Sequence, residues 1–338
     1  MQNPSVSIVI PCYNEVNYIE KCIRSTQTQS FQEGQLDVIV VDGMSDDGTR
    51  EVLLNLQEEF PNLQLVDNPE RHTPKALNLG IEASSSDMAI ILGAHAELEP
   101  SFVALNVEAM LEHEQAGCVG GMIINVYENE TAEVIGKAMG SRFGVGNARF
   151  RTGGKKGYVD TVAFGAYRRT ALNEIGLFDL DLVRNQDDEI NFRLNKHGWK
   201  IWFDPKIRSK YYVRASYSKL FKQYKQYGYW KVYVNKKHQA VTSIRQMIPF
   251  FFVAFIALAT IVAFTSLGPG PLILGLMLWF IGAMVATIAS KASSRQYNGM
   301  LATFFILHTA YGLGYAQGIW HFLILGKTPS RTAKASTR

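Results

Sequence analysis

No acidic residue follows Asp204 in this chain of 338 residues, and no charge of either sign stands between Gln246 and Ser290. The first absence divides the molecule electrically. Up to Asp204 there are 17 Lys and Arg against all 30 Asp and Glu, a local charge of −13, and beyond it the charge is +17, so the net +4 conceals two unlike halves. Neither half by itself points to nucleic acid as a partner. Cysteine is scarce too: Cys12, Cys22 and Cys118 are irregularly spaced, which excludes a disulfide framework or a zinc site and leaves buried, inert thiols. No secretory leader is expected, because Met1 to Ser5 is polar and Val6 to Ile10 is far too short for its apolar core. The acidic part is therefore expected to stay in the cytoplasm.

The charge-free stretch is what a bilayer asks for. Residues 247–267 and 272–289 each supply about 20 apolar-dominated residues, the length a helix needs to cross ~30 Å of hydrocarbon. Gly268-Pro269-Gly270-Pro271 between them sets a tight hairpin. A third uncharged segment, 298–326, contains His308, Gly312, Gly314, Gln317, Gly318 and His321. It is long for one crossing and short for two. Lys291 and Arg295 precede it and Lys327, Arg331, Lys334 and Arg338 follow it, which favours a re-entrant hairpin hinged at the glycines over a third crossing.

The acidic half alternates short β-rich runs with helical patterns. Val6–Ile10, Asp37–Val41, Leu63–Val66 and Met88–Leu92 read as strands, and Tyr18–Gln29, Thr49–Glu59 and Pro74–Ala83 as the helices between them. This is an α/β pattern with a mostly parallel sheet, whose ligand site is expected at the carboxyl ends of the strands. There the chain carries Pro11-Cys12-Tyr13-Asn14-Glu15, then Asp42-Gly43-Met44-Ser45-Asp46-Asp47-Gly48-Thr49, then His72-Thr73-Pro74-Lys75-Ala76-Leu77-Asn78. Asp42 can accept hydrogen bonds from a ribose or a base imide, and Lys75 near a helix start can meet a phosphate. Asp46 and Asp47 read as turn and cap residues.

These motifs, in this order, resemble family 2 of the inverting glycosyltransferases, which have a GT-A fold, and within it the branch acting in succinoglycan and related exopolysaccharide synthesis. The resemblance runs on through Val162–Arg169, Gly176–Asp179 and Asn185–Leu194 and covers about Val6 to Trp230. It implies displacement at the anomeric carbon of a nucleotide sugar, with a carboxylate taking the acceptor proton and positive charge steadying the leaving diphosphate. Asp187 fills the position of the family's catalytic Asp, with Gln186 in place of the preceding Glu. Pro11, Tyr13, Glu15, Asp42, Lys75 and Ala94 are the implied nucleotide and donor contacts. Asp188 and Glu189 point elsewhere on a helix and read as capping or as partners of Arg193.

One departure stands out. Where the family places D-x-D, and this branch D-A-H, the chain has Gly93-Ala94-His95. His95 is left as the implied ligand of a divalent metal, Mn²⁺ or Mg²⁺, or else as a phosphate partner, and without metal Lys75 and Arg71 would carry more of the phosphate charge. The Tyr217–Lys231 stretch is basic, aromatic and amphipathic, suited to a headgroup layer. Its Gln226–Trp230 part resembles the family's acceptor motif Q-x-x-R-W, with Tyr229 in place of Arg, so Gln226 and Trp230 are implied acceptor contacts. Residues 126–157, rich in Gly and basic residues, read as a mobile loop that closes over donor or acceptor.

The resulting expectation is a GT-A domain at 1–212 in the cytoplasm, a basic interfacial helix at 213–245, a membrane domain with transmembrane helices at 246–326 and a basic tail at 327–338. Such a chain would be a multi-pass protein of the cell (inner) membrane, taking a UDP-linked sugar and a lipid-linked or growing polysaccharide acceptor. Two alternatives are a processive polysaccharide synthase and a catalytically silent relative that only binds a nucleotide sugar.

Overall fold

The computed structural model describes residues 4–31, 34–213, 215–242 and 244–329. The basic tail expected at 327–338 lies, from residue 330 onward, outside the described residues. The chain forms two compact units: one holds the described residues up to Ile124, Gly153–Tyr212 and Pro329, the other Asn125–Thr152 and Val213–Thr328.

In the first unit the order is β1 (Val6–Cys12), α1 (Ile19–Gln27), β2 (Leu36–Asp42), α2 (Thr49–Glu59), β3 (Leu63–Asp67), α3 (Thr73–Glu82), β4 (Met88–Ile91), β5 (Ala96–Leu98), α4 (Phe102–Glu112) and β6 (Ala116–Val126). The chain then makes α5 (Glu130–Met139), α6 (Arg142–Val145) and α7 (Arg149–Thr152), which belong to the second unit. It returns through β7 (Gly157–Val159), β8 (Ala163–Arg168), α8 (Arg169–Ile175), α9 (Gln186–Lys196) and β9 (Lys200–Tyr212). The sheet order is β3-β2-β1-β4-β8-β6-β9-β5, with β7 alongside β9. β3, β2, β1 and β4 are mutually parallel, and β8 turns the sheet antiparallel by pairing Met88 with Arg168.

Helices cover both faces of the parallel half, which is why β1, β2 and β4 are buried along most of their length, whereas β3 at the edge exposes Gln64 and Asp67. Along β2, Val38 and Val40 face the core shared with Ile19, Ile23, Leu53 and Phe102, while Ile39 and Val41 face Ala76 of α3. This is the two-residue alternation of a strand buried on both sides. All three cysteines are free and buried, and burial pushes the thiols of Cys22 and Cys118 upward.

The second unit continues with α10 (Tyr217–His238), α11 (Ile248–Val262), α12 (Gly270–Ala289) and α13 (Tyr297–Gly318), which runs on into a π-helical turn at Ile319–Ile324. Two stretches, Ile244–Val262 and Gly270–Ala289, are long and apolar enough to cross a membrane. Their side chains mostly face outward: Leu258, Ile261, Leu278 and Val285 are all exposed.

Two expectations are corrected here. Residues 126–157 are not a loop: Asn129 caps α5 by accepting from the amide of Ala132, and Val134, Ile135, Ala138 and Met139 are buried. Gly136 and Gly144 are contact points, since a Cβ on Gly136 would overlap the Tyr127 ring and one on Gly144 the Ala138 carbonyl. The segment 298–326 is likewise no glycine-hinged hairpin, because α13 is continuous through Gly312 and Gly314. A Cβ on Gly312 would overlap the Pro249 carbonyl and one on Gly314 the Lys225 carbonyl, so both let α13 lie close against its neighbours.

Candidate active site

The carboxyl ends of β1, β2, β3 and β4 lie along one edge of the parallel sheet, and the loops that leave β1, β2 and β3 each carry a residue forced into positive φ. Asn14, Met44 and Arg71 have φ of 54°, 58° and 53°. Non-glycine residues in this region cost on the order of 1–3 kcal/mol each, and such strain concentrates at functional sites. The three loops are tied together. Asn14 donates to Asp46 Oδ1 at 2.8 Å and accepts from the Asp46 amide at 3.1 Å. Asp47 accepts from the backbone amide of Thr49 at 3.0 Å, so both acids hold the turn, as expected.

Asp42 is fully buried at the end of β2. It accepts from the Ser45 hydroxyl at 2.6 Å and pairs with Arg50 at 3.0 Å, and Arg50 bridges onward to Asp67 at 2.8 Å. In this structure its carboxylate braces the loop after β2. Arg71, which the sequence put forward only as a reserve cation, lies over the Tyr13 ring with its guanidinium 5.0 Å from the centroid, and donates to the Tyr13 hydroxyl at 3.1 Å. A flat, cationic and aromatic surface results, next to the Met44 carbonyl.

Glu15 and His95, assigned separate roles from the sequence, come together. His95 Nδ1 lies 3.5 Å from Glu15 Oε1 and is buried without a hydrogen-bond partner. The Tyr211 ring holds the imidazole edge-on at 5.2 Å. Among the described residues no group of three or more His, Cys, Asp or Glu forms a ready-made metal site. An imidazole nitrogen left unsatisfied beside a carboxylate still fits a cation that takes its other ligands from phosphate and water, the usual habit of Mg²⁺-like ions. Ala94 is buried in the core at 1% exposure, so only its backbone can contribute to a site. Lys75 stands half-buried in the first turn of α3 and forms no ion pair among the described residues.

A cavity of about 110 Å³ opens beside these strand ends, lined by Pro11, Leu77, Gly93, Phe164, Tyr167 and Asp187 among others. Asp187 lies in the first turn of α9, is exposed, and lines the cavity together with the apolar side chains around it. Those surroundings strip solvation from its charged form, and the charge of Asp188 adds to the effect, so its pKa is pushed up to about 6. Contact with cavity solvent tempers that shift. Sequence reasoning assigned no role to Leu77, Phe164 or Tyr167. The signal for Phe164 is backbone strain, φ 50°, which a sequence does not display.

What fixes Asp187 is the anchorage of α9. Glu189, 1% exposed, receives both arms of Arg193 at 2.7 and 2.8 Å, and the same guanidinium donates to the carbonyls of Ile175 and Leu177, each at 2.7 Å. Glu189 is thus structural, as the sequence suggested. Removing Arg193 would leave a buried carboxylate uncompensated, which costs on the order of 3–5 kcal/mol. Arg193→Ala should therefore lower the thermal or urea midpoint of the detergent-purified chain far more than Arg24→Ala, whose ion pairs with Glu20 and Glu59 are exposed.

Gln226 and Trp230 belong to the second unit. Trp230 is 4% exposed on α10, its ring against those of Tyr229 and Phe322. Tyr229, where the acceptor motif has Arg, meets His321 Nδ1 at 3.1 Å.

A mixed sheet that gathers a carboxylate-bearing cavity at the ends of its parallel strands defines an α/β enzyme with its site at the strand termini. The profile of Glycosyl transferase family 2 matches residues 7–176, and the chain belongs to that family. It is a glycosyltransferase. It is 31% identical over 93% of its length to a dolichyl N-acetyl-α-D-glucosaminyl phosphate 3-β-D-2,3-diacetamido-2,3-dideoxy-β-D-glucuronosyltransferase of Methanococcus voltae, covering 97% of that protein. To the succinoglycan biosynthesis protein ExoA of Rhizobium meliloti it is 29% identical, over 95% of this chain and 97% of the other. The mannosyltransferase PcManGT of Pyrobaculum calidifontis, solved with GDP-Man and Mn²⁺, superposes with a TM-score of 0.65 at 18% identity, over 94% of this chain and 88% of its own, and so shares the fold.

Proposed function

We propose that this enzyme is a membrane-anchored, inverting glycosyltransferase that passes a sugar from a UDP-linked donor to a lipid-linked or growing polysaccharide acceptor, with Asp187 as general base. The observation that carries the reading is the Asp187 carboxylate, which lines a cavity at the strand ends and can there draw a proton from a hydroxyl. That same feature weighs against a catalytically silent relative. As the acceptor hydroxyl attacks the anomeric carbon, Asp187 takes its proton and the nucleoside diphosphate departs from the opposite face. The Tyr13–Arg71 surface is suited to a nucleobase or its ribose, and Lys75 to the diphosphate. Glu15 and His95 would hold a divalent cation, which supplies positive charge to the leaving diphosphate.

Lipid linkage of the acceptor is supported by the names of the relatives, which include a transferase acting on a dolichyl phosphate-linked sugar. Ile244–Val262 and Gly270–Ala289 form the anchor. Arg245 at the start of the first and Lys291 after the second set both outer ends, and the first unit, on the cytoplasmic side.

Calorimetric titration of UDP into the detergent-purified chain, with and without Mn²⁺, tests the donor site. Micromolar binding is expected, strengthened by Mn²⁺ in wild type, with the strengthening lost in His95→Ala. Absence of UDP binding in both conditions would remove the donor assignment.

A further inference from the structure

Residues 177–185, which lead into α9 and Asp187, form neither strand nor helix. Phe178, Leu182 and Val183 among them are nevertheless buried, and α3 holds the backbone of the first two. Asn78, buried near the middle of α3, donates to the Phe178 carbonyl at 2.8 Å and accepts from the Phe178 amide at 2.9 Å. One side-chain amide thus satisfies both backbone groups of a buried loop residue. At the N-cap of the same helix, His72 Nε2 lies 2.9 Å from the Leu182 carbonyl, and since a carbonyl only accepts, Nε2 carries the proton. α3 itself is seated on β1, where a Cβ on Gly80 would overlap Val9. From these two ties the loop reaches the cavity. The Phe178 ring meets that of Tyr167, a cavity wall, edge-on at 5.9 Å. At the other end Asn185, φ 63°, turns the chain into α9, whose first turn brings Asp187 into the same cavity.

We infer that Asn78 and His72 are positioning residues: through residues 177–185 they hold the Asp187 carboxylate in its place, and so refer the base to the helix that carries Lys75. The inference rests on the reading of Asp187 as the base and of Lys75 as a diphosphate contact. Neither Asn78 nor His72 lines the cavity, so their effect on the reaction passes through the loop. A base displaced by ~1 Å loses on the order of 100-fold in rate. Tyr13, Arg71 and Lys75 lie outside the loop, so donor affinity is spared.

The test is release of UDP from UDP-glucose, UDP-galactose and UDP-N-acetylglucosamine by the full detergent-purified chain, with water as the acceptor. The water oxygen bonds to the anomeric carbon, its proton passes to Asp187 and UDP leaves. On the donor that wild type cleaves fastest, Asn78→Ala should lower kcat about 10–100-fold and leave the donor KM within about 2-fold. His72→Leu should lower kcat in the same way, and His72→Gln, whose amide can donate to the Leu182 carbonyl, should restore most of it. In an Asp187→Asn background the further loss from Asn78→Ala should be under about 2-fold, because a base that is gone cannot be misplaced. Losses that multiply in the double variant, unchanged kcat in both Asn78→Ala and His72→Leu, or a KM that rises as kcat falls would overturn the inference and leave the base standing. Should Asn78→Ala not fold, the His72 pair decides, and equal losses in Leu and Gln would overturn the inference. Wild-type turnover in Asp187→Asn would remove the base reading, and this inference with it. No UDP release by wild type from any of the three would remove the donor reading on which both stand.

Discussion

Asp187→Asn is expected to lower kcat by about 10²–10⁴-fold, the usual contribution of a positioned general base, while UDP affinity changes little. The amide keeps the shape of the side chain but cannot accept the proton, so the loss falls on the chemical step and not on donor binding. In the wild type, kcat/KM should rise with pH through an apparent pKa of about 6 and level off above it, because the carboxylate works only when ionised. The direction of the stability change follows from the same shift. A carboxyl whose folded pKa lies above its ordinary 3.8 binds protons more readily in the folded than in the unfolded chain, so stability declines as pH rises from about 4 to about 6. Asp187→Asn should therefore raise the thermal midpoint modestly at pH 7 and leave it nearly unchanged below pH 4. A variant retaining wild-type turnover would assign the base to another group. A flat pH profile between 5 and 7 would mean that proton transfer from the acceptor does not limit the reaction.

How much of this could be read from residues alone follows a physical divide. The strands β1, β2 and β4 are local, largely buried apolar runs separated by amphipathic helices, and such signals survive in a sequence, hence the agreement at Val6, Thr49, Leu63 and Met88 as element starts. Asp187 and His95 were singled out through a motif, a record of chemistry and not of packing. The meeting of Glu15 with His95 was not legible, since 80 residues separate them and only the adjacency of β1 and β4 brings them to one end of the sheet. Phe164 was hidden for a different reason. It sits at a bulge between β6 and β8, a mismatch that neither strand reveals by itself. The glycines of α5 and α13 misled because a glycine that permits flexibility and one that permits close approach look the same until the neighbour is known.

That last ambiguity yields the second large effect. On α10, Gly228 has no room for a side chain because a Cβ would overlap the Tyr311 carbonyl, and on α13 Gly314 is blocked in the same way by the Lys225 carbonyl. The two helices therefore meet backbone to backbone at reciprocal glycines. Overlap with a flexible side chain could be relieved by a rotamer change, but a carbonyl moves only with its helix. Tyr315, buried on α13, would lose the hydrogen bond that its hydroxyl accepts from Asn235 of α10 as the pair separates. Overpacking in a tight core typically costs about 1–3 kcal/mol and more where backbone must shift. Gly314→Val is accordingly expected to lower the melting temperature of the detergent-purified chain sharply, or to prevent its recovery as a monodisperse protein. Gly270→Val, at a glycine with no atom within 4 Å of its Cβ, should be nearly silent by comparison. Equal melting temperatures for the two variants would show that α10 and α13 are not packed at these glycines. Should Gly314→Val melt early while UDP still binds with wild-type affinity below the transition, the helical unit and the donor site would prove energetically separable, so that loss of the helix pair need not empty the nucleotide site.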